Sequence, residues 1–409
     1  MRIEIIIIGL LVFSWCALRK EDFINTVIAW SIIGVYCGAT LRFQVLTFNR
    51  VLILVYLAVL LLHFPGGKPA HAGDRKSGFI FLFFLGLYSA YLAALQTRSG
   101  LSVDNFFIAA LNLGYFLTAF TIYTKRSCIR IRKVVWAFGP AAAVLSVVCI
   151  FQYFEIGLLQ YTVERESVVF AAKSGQSVVR VYGLHGNPNA AALYLGTSLV
   201  AIFWIFLHGF ESRANVINLL LLLLNGTALA LTYSRASISA AVFCMVLVVI
   251  GYLKSGYQRR SNWFIYLFLA ATVFFGIYFM MQRSYSDVGH GIGRLLIWQN
   301  ALAVFAQNPF MGAATGTFNV HNGFLQVLMT QGILGFFLYS AALFTALMTK
   351  CRASQEVCIV KILVINFVLN NLTHSIAVAS VLLWLLASLI FVQEDSTGRK
   401  TYVRQQSAA

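Results

Sequence analysis

Apolar runs separated by short charged connectors are the feature that most restricts the fold of this sequence. Each run has roughly 17 to 22 residues, which is long enough for a helix to cross a hydrocarbon core about 30 Å thick. Charged residues make up only 11% of the chain, whereas about 25% is typical of soluble domains. The sequence therefore predicts an all-α, polytopic integral membrane protein with about twelve transmembrane helices and a large exterior loop that carries short helices.

The predicted spans include a first apolar run that ends without a small-x-small cleavage site, so we expect an uncleaved helix there. The spans cover residues 3–18, 24–41, 46–64, 78–96, 105–124, 134–158, 189–208, 214–232, 236–253, 263–281, 323–349, 357–373 and 376–393. These are thirteen segments when the N-terminus is exterior. A total of twelve requires either that one early segment does not cross or that "NNLTHS" (370–375) is a break within one bent helix. His374 in that break is a further candidate residue, although capping of a broken helix is the favoured explanation.

The distribution of basic residues predicts the orientation of the chain in the membrane. If the connectors at 19–22, 65–77, 125–133, 209–213, 254–262 and 350–356 and the tail after 393 share one side, that side holds 19 of the 30 Lys and Arg residues. Such an excess marks the cytoplasmic side. The net charge of +17 thus indicates orientation and attraction to anionic membrane lipid, and no nucleic-acid partner is expected.

Two long loops then face the exterior, at about 159–188 and 282–322. Because the cytoplasmic connectors are short, we expect the chemistry on the exterior side. The predicted organisation is an N-terminal transmembrane bundle at 1–158, a second membrane domain at 159–393 that includes both loops, and a cytoplasmic polar tail at 394–409.

Acidic residues are too few and too scattered to indicate a metal site. The chain has 13 Asp and Glu residues in all, and the exterior acids Glu155, Glu164, Glu166 and Asp287 form no DxD or clustered pair. An enzyme that holds a nucleotide-sugar diphosphate through a divalent cation needs such carboxylates. The cysteines show no CxxC spacing, so no thiolate site is indicated either. No metal ion and no cofactor is expected.

The stretch "RVYGLHGNPNAAALYL", which opens with Arg180, places a guanidinium close to a helix start. Its glycines and proline predict an irregular loop, and Asn187 or Asn189 can cap the helix that follows. Backbone N–H groups at a helix start favour an anion, and arginine adds bidentate phosphate geometry. The alternative is a surface arginine beside an ordinary helix start.

The stretch "LTYSRASIS" places Arg235 at the centre of about forty apolar residues, too many for one span. It predicts a tight helical hairpin with Arg235 at the exterior tip, where Ser234, Ser237 and Ser239 form a polar patch with it. A functional arginine and one that only snorkels at the membrane edge are both open.

Two further stretches, "RLLIWQNALAVFAQNPFMGAATGTFNVHN" and "HNGFLQVLMTQGILG", lead from the second loop into the next span. Apolar spacing over 294–306 predicts an amphipathic interfacial helix beginning at Arg294, which either binds a ligand or only anchors the helix. His321, beside Asn322, is either a cap of the following span, an interface residue, or a base. The ordinary histidine pKa of about 6.5 permits proton transfer near neutral pH. Three exterior arginines and one histidine suit a diphosphate-bearing donor and a base-activated hydroxyl acceptor.

In these four stretches the sequence resembles the bacterial O-antigen ligase family, which includes the related Wzy-type O-antigen polymerases. The last stretch reads His321-Asn322, nine residues, Gly332, two residues, Gly335, which is similar to the family signature around its loop histidine. The family consists of multi-pass glycosyltransferases of the bacterial inner membrane whose active site faces the periplasm. They use an undecaprenyl-diphosphate-linked glycan as donor and need no metal.

The resemblance also implies roles for particular residues. Arg180, Arg235 and Arg294 would hold the donor diphosphate, and His321 would activate the acceptor hydroxyl. The residues expected in supporting positions are Asn187, Asn189, Ser234 and Asn322.

The function implied by the resemblance is transfer of a glycan to the lipid A core sugar in lipopolysaccharide biosynthesis. The alternative is a polymerase that joins lipid-linked O-antigen or exopolysaccharide repeat units, because both enzymes leave the same diphosphate. A third possibility, a transporter of lipid-linked glycan, would place its polar residues in mid-span. Here the charge in mid-span is essentially Lys361 alone, which favours an enzyme.

Overall fold

The apolar runs fold into helices in the computed structural model of the chain. The structure describes residues 23–37, 42–43, 46–47, 75–98, 103–126, 128–154, 156, 169–171, 177–185, 187–208, 212–254, 288–313, 320–349, 355–374 and 380–392. The predicted spans at 3–18 and 263–281, nearly all of 46–64, and the tail at 394–409 lie outside these residues. Leu46–Thr47, at the start of one predicted span, forms a strand instead.

The described residues contain twelve helices and four very short strands. The helices are α1 (Phe23–Cys37), α2 (Arg75–Arg98), α3 (Val103–Thr124), α4 (Ile131–Trp136), α5 (Phe138–Tyr153), α6 (Pro188–His208), α7 (Ser212–Leu231), α8 (Arg235–Lys254), α9 (Val288–Gln307), α10 (Gly323–Met348), α11 (Gln355–Asn371) and α12 (Val381–Leu389). The strands form two antiparallel pairs, β1 (Arg42–Phe43) with β2 (Leu46–Thr47) and β3 (Val169–Ala171) with β4 (Ser177–Val179).

Five of the helical segments are long and apolar enough to cross a membrane. They are Lys76–Thr97, Ile131–Tyr153, Pro188–His208, Arg235–Lys254 and Gly323–Met348. The predicted helical, multi-pass character is therefore confirmed, whereas the number of twelve spans and the exterior loop remain predictions.

Helix α6 lies at the centre of the bundle. It packs against α5, α7, α8 and α11, and all of its residues from Ala190 to Ile205 are buried. Several polar side chains in this core form hydrogen bonds between helices. Asn366 donates a 2.9 Å hydrogen bond to the Thr197 hydroxyl, and Asn225 donates one of 3.0 Å to the Leu195 carbonyl. These bonds tie α6 to α11 and α7.

The two ends of the bundle differ in charge. At the start of α1, the Asn25 side chain accepts a hydrogen bond from the backbone of Arg130 and donates one to Cys128, within the basic connector that follows α3. Helices α4 and α5 lead away from this connector over about 34 Å, at 1.5 Å per residue. Close to their far end lies Gln152, whose side chain accepts a hydrogen bond from Gly183 in the loop after β4. The basic connector and that loop therefore lie at opposite ends of the bundle.

Helix α10 is broken at Gly332, which has a φ of 66° and a non-helical ψ. The chain after α9 packs against the break. Ile333 donates its backbone N–H to the carbonyl of Pro309 at 2.8 Å, and a Cβ at Gly332 would collide with the backbone of Phe310. Gly312 makes the reciprocal close approach to the α10 backbone. Glycine is required at the break because it tolerates positive φ and because there is no room for a side chain. A short helical half, residues 323–331, thus follows His321.

Candidate active site

Arg180 follows β4 and is buried, with 7% of its surface exposed. Its Nε donates a 2.7 Å hydrogen bond to the Thr232 carbonyl, and its Nη2 donates one of 2.9 Å to Asn189 Oδ1. The guanidinium is thereby held between the end of α7 and the start of α6. The alternative of a surface arginine is wrong.

Gln152 holds the loop that carries Arg180. Its Oε1 accepts hydrogen bonds from the backbone N–H groups of Tyr182 and Gly183, and its Nε2 donates to the Gly183 carbonyl at 2.9 Å. Gly183 has a φ of 56°, and a Cβ there would press against Leu145 and Cys149 of α5. The loop is therefore anchored to α5.

The two asparagines at the start of α6 divide the roles that the sequence left open. Asn187 Oδ1 accepts a 2.8 Å hydrogen bond from the backbone N–H of Asn189, while Pro188 takes the first helical position, where the missing N–H costs nothing. Asn187 is thus the cap, and the Asn189 side chain holds Arg180 instead.

A tight turn joins α7 to α8, as the sequence predicts. Tyr233 in this turn has a φ of 52°, a conformation that is costly for a residue with a bulky side chain. The turn is held by the Thr232 hydroxyl, which donates to the Leu229 carbonyl at 2.6 Å and accepts from the Ser234 N–H. Arg235 begins α8 directly after the turn. Arg235 therefore lies three residues after Thr232, whose carbonyl accepts the hydrogen bond from Arg180.

A chain of hydroxyl and amide groups connects this turn to α11. Ser234 donates to Ser237 at 3.3 Å, and Ser237 donates to Asn370 Oδ1 at 2.6 Å. Asn370 in turn accepts the backbone N–H of His374 at 2.9 Å. Ser239, which the sequence grouped with the other two serines, is exposed and lies apart from this chain.

His321 occupies a strained position that its neighbours enforce. Its φ is 55°, and the residue is partly buried. On one side, the Val320 backbone accepts from the Trp298 indole at 3.1 Å and donates to Gln326 at 3.0 Å. On the other side, Asn322 Oδ1 accepts the backbone N–H of Leu325 at 3.1 Å and caps α10. Strain of this kind persists where the surroundings over-determine the backbone, and it is common at functional sites.

The cap at Asn322 decides one of the alternatives for His321. Because the Asn322 side chain satisfies the free N–H of the first turn, the histidine is not the helix cap. Asn322 also donates from Nδ2 to the Leu372 carbonyl at 3.1 Å. This bond joins the start of α10 to the turn that contains His374.

Arg294 lies on α9, which begins at Val288, six residues before the predicted start, and ends at Gln307 as the Asn308-Pro309 sequence predicts. The helix packs against the first half of α10 through Ala301, Val320 and Met329. The Arg294 side chain is exposed, whereas that of Arg180 is buried.

Electrostatics connect the residues that these separate elements contribute. Burial and the positive charge of Arg294 lower the pKa of His321. The pKa of His374 falls to about 4, through burial first and then through the charges of Arg294, His321 and Arg180. Two arginines and two histidines therefore meet at one end of the bundle. Arg235 begins α8 directly after the adjacent α7–α8 turn.

Sequence reasoning underestimated three polar residues in this region. Thr232 supplies the carbonyl for Arg180, and Asn370 joins α8 to the turn after α11. His374 interacts electrostatically with Arg294, His321 and Arg180 and is not a helix cap. Polar residues within otherwise apolar runs were the available signal. The exterior acids Glu155, Glu164, Glu166 and Asp287 lie outside the described residues, and the described part of the chain contains no group of three or more potential metal ligands.

The arrangement suits binding of a polyanion next to a proton acceptor. Arg180 is preorganised by protein acceptors, and Arg294 has an exposed side chain on α9. Preorganised cations stabilise charge that develops during a reaction because they need no reorganisation. A histidine with a lowered pKa is neutral at pH 7 and able to accept a proton.

One family model matches part of the chain. Residues 219–340 match the family model described as O-Antigen ligase, a range that contains Arg235, Arg294 and His321, whereas Arg180 and His374 lie outside it. None of the curated proteins compared with the chain matches it significantly. Residues 219–340 are thus similar to the O-antigen ligase family, which the sequence motifs also resemble.

Proposed function

We propose that the protein is a membrane glycosyltransferase that moves a glycan from undecaprenyl diphosphate to a membrane-anchored acceptor at the periplasmic face of the inner membrane. The acceptor we favour is the lipid A core sugar, so the reaction is O-antigen ligation in lipopolysaccharide biosynthesis. The observation that carries the proposal is the convergence of Arg180, Arg294 and His321, at one end of a chain that is similar to the O-antigen ligase family over residues 219–340.

The donor diphosphate binds the arginines. As the bond between the sugar and the diphosphate breaks, negative charge grows on the departing phosphate oxygens. Arg180 is held by Thr232 and Asn189, so its N–H groups stabilise that charge without reorienting. The transition state is therefore stabilised more than the ground state. Arg294 and Arg235 add positive charge from α9 and from the α7–α8 turn.

His321 is the general base. Its neutral ring accepts the proton of the acceptor hydroxyl as the oxygen attacks the anomeric carbon, and the electron pair of the broken bond leaves with the diphosphate. Burial and Arg294 lower the pKa of this ring, which keeps it neutral until the donor arrives. The anionic donor then counteracts the lowering, so the ring becomes a stronger base in the complex.

Attack from the side opposite the diphosphate inverts the anomeric centre, and the scheme contains no carboxylate nucleophile for a double displacement. A retained configuration in the product linkage would contradict this stereochemistry. No metal ion takes part in the scheme, since the arginines supply the positive charge.

The orientation follows from the two ends of the bundle. The site lies opposite the connector that contains Lys125, Arg126 and Arg130, and connectors rich in basic residues face the cytoplasm. The lipid-linked donor and the membrane-anchored acceptor would therefore meet His321 at the periplasmic surface.

Deletion of the gene followed by gel analysis of lipopolysaccharide tests the proposal. Ligation predicts loss of all long chains from the lipid A core while long glycan remains on undecaprenyl diphosphate. A core that carries one repeat unit indicates the second candidate, polymerisation of lipid-linked O-antigen or exopolysaccharide units, which the family match equally favours. Loss of the long chains with the lipid-linked glycan retained on the cytoplasmic side would indicate a transporter and contradict both.

A further inference from the structure

His374 lies in the turn that ends α11, and it is buried, with 7% of its surface exposed. Within the described part of the chain, neither ring nitrogen has a hydrogen-bond partner. Buried polar groups are almost always paired, so an unpaired buried ring calls for an explanation. An unbonded donor and acceptor on a ring that interacts with Arg180 and Arg294 indicates a ligand.

Helix capping does not explain this histidine. The end of α11 is closed by backbone bonds from Thr373 and His374 to the Asn370 carbonyl, at 3.1 and 2.9 Å. The Thr373 hydroxyl adds a 3.2 Å bond to the same carbonyl. Because the last turn is completed by these groups, the His374 ring is not needed for it.

Three elements contribute groups that interact electrostatically with the ring. Arg180 comes from the loop before α6, Arg294 from α9, and His321 from the start of α10. Together with burial they lower the pKa of His374 to about 4, so the ring is neutral at pH 7 and offers one N–H donor and one nitrogen acceptor. A neutral group surrounded by positive charge is poorly suited to bind a cation and well suited to share an anion with its neighbours.

We infer that His374 is a fourth donor-binding residue, whose ring donates a hydrogen bond to the diphosphate and takes up a proton from solvent when the diphosphate binds. The inference rests on the proposed function, since it assigns a new residue to the same donor site. The physical reason is that a bound polyanion replaces repulsion from Arg180 and Arg294 with attraction, which favours the charged ring. The protonated ring then donates from both nitrogens, where the empty site leaves them unbonded.

The experiment is calorimetric titration of the purified full-length protein with undecaprenyl diphosphate in detergent, at pH 6, in two buffers of different ionisation enthalpy. The difference between the two heats gives the number of protons taken up. His374→Gln keeps an N–H donor but does not titrate, and His374→Leu removes both properties. His208→Gln is the matched control, because His208 ends α6 about 30 Å along the helix from the site.

We expect proton uptake on binding to the wild type and to His208→Gln, and a clear reduction in both His374 variants. His374→Gln should bind about 3-fold to 10-fold more weakly and His374→Leu about 10-fold to 100-fold more weakly. Proton uptake and affinity equal to wild type in the two variants would overturn the inference. Should His374→Leu fail to fold, as judged by thermal unfolding, the His374→Gln result decides alone.

The titration also separates this inference from the proposed function. If the wild type does not bind undecaprenyl diphosphate, the assignment of the donor fails and the role of His374 fails with it. If the wild type binds, Arg180→Gln binds weakly and both His374 variants bind as the wild type does, only the role of His374 is lost.

Discussion

Asn322 donates a 3.1 Å hydrogen bond from Nδ2 to the Leu372 carbonyl while its Oδ1 caps α10. One side chain therefore links the segment that holds His321 to the turn that holds His374. Capping of α10 and the bond to Leu372 are separable by mutation. Asn322→Ser retains a capping oxygen and loses the link, whereas Asn322→Ala loses both.

We expect Asn322→Ala to lower the free energy of unfolding by about 2 kcal/mol, of which about half comes from the lost cap. Asn322→Ser should recover the capping part but not the transfer activity, because the two histidine segments are no longer joined. Thermal unfolding in detergent and the rate of glycan transfer measure the two effects. Equal activity of Asn322→Ser and wild type would show that the link is dispensable.

Gly332 is expected to be intolerant of any side chain. Gly332→Ala places a Cβ against the Phe310 backbone at a φ of 66°, and it should cost about 2 kcal/mol or more in stability. Gly251→Ala is the matched control, because nothing lies within 4 Å of a Cβ there and alanine favours a helix. Comparable unfolding temperatures for the two variants would mean that the break in α10 is not built as described.

Arg180→Lys should lower kcat by about 100-fold to 1000-fold. Lysine keeps the charge but cannot hold the Thr232 carbonyl and Asn189 while presenting N–H groups to a diphosphate. Arg132→Lys, an exposed change at the opposite end of the bundle, serves as control and should behave as the wild type. Steady-state kinetics of transfer distinguish the two. A kcat for Arg180→Lys within a few-fold of wild type would exclude a geometric role for the guanidinium.

The pH dependence of transfer should carry the signature of His321. The base must be neutral, so kcat/KM falls as pH drops through the pKa of His321 in the free enzyme. Burial and Arg294 lower that pKa from 6.5, which places this acidic limb below pH 6.5. Arg294→Gln removes the charge that helps to lower the pKa of His321, so the acidic limb of kcat/KM should move to higher pH. Arg294→Lys keeps the charge and should leave the acidic limb in place.

In the donor complex the diphosphate opposes the effect of Arg294, so the acidic limb of kcat should lie at higher pH than that of kcat/KM. Profiles of the two parameters in the wild type and both Arg294 variants measure these displacements. A limb that moves to lower pH in Arg294→Gln has the wrong sign for the electrostatic account.

Much of the helical architecture was predictable because apolar length and connector charge report directly on membrane helices. The α7–α8 hairpin and the end of α9 at Asn308-Pro309 followed from local rules on span length and proline. The cap at Asn187 was foreseen as one of two choices. Only the structure separates it from Asn189, since the choice depends on where Arg180 comes to lie.

The remaining features depend on contacts between distant parts of the chain, which local patterns do not encode. Gly332 was recognised as part of a motif, but its role arises from the chain after α9 packing into α10. The burial of Arg180 depends on the carbonyl of Thr232, which lies in the turn between α7 and α8. The polar sequence neighbours of His374 predict helix capping. Its surroundings in the structure include charged or titratable groups from α9, the start of α10 and the loop before α6.

The central claim is that His321 is the base of a transfer reaction whose donor is bound by other residues. The most direct measurement compares glycan transfer and undecaprenyl diphosphate binding in purified His321→Ala and wild type. We predict transfer reduced by about 1000-fold with donor affinity changed by no more than a few-fold. Transfer by His321→Ala at the wild-type rate would contradict the account.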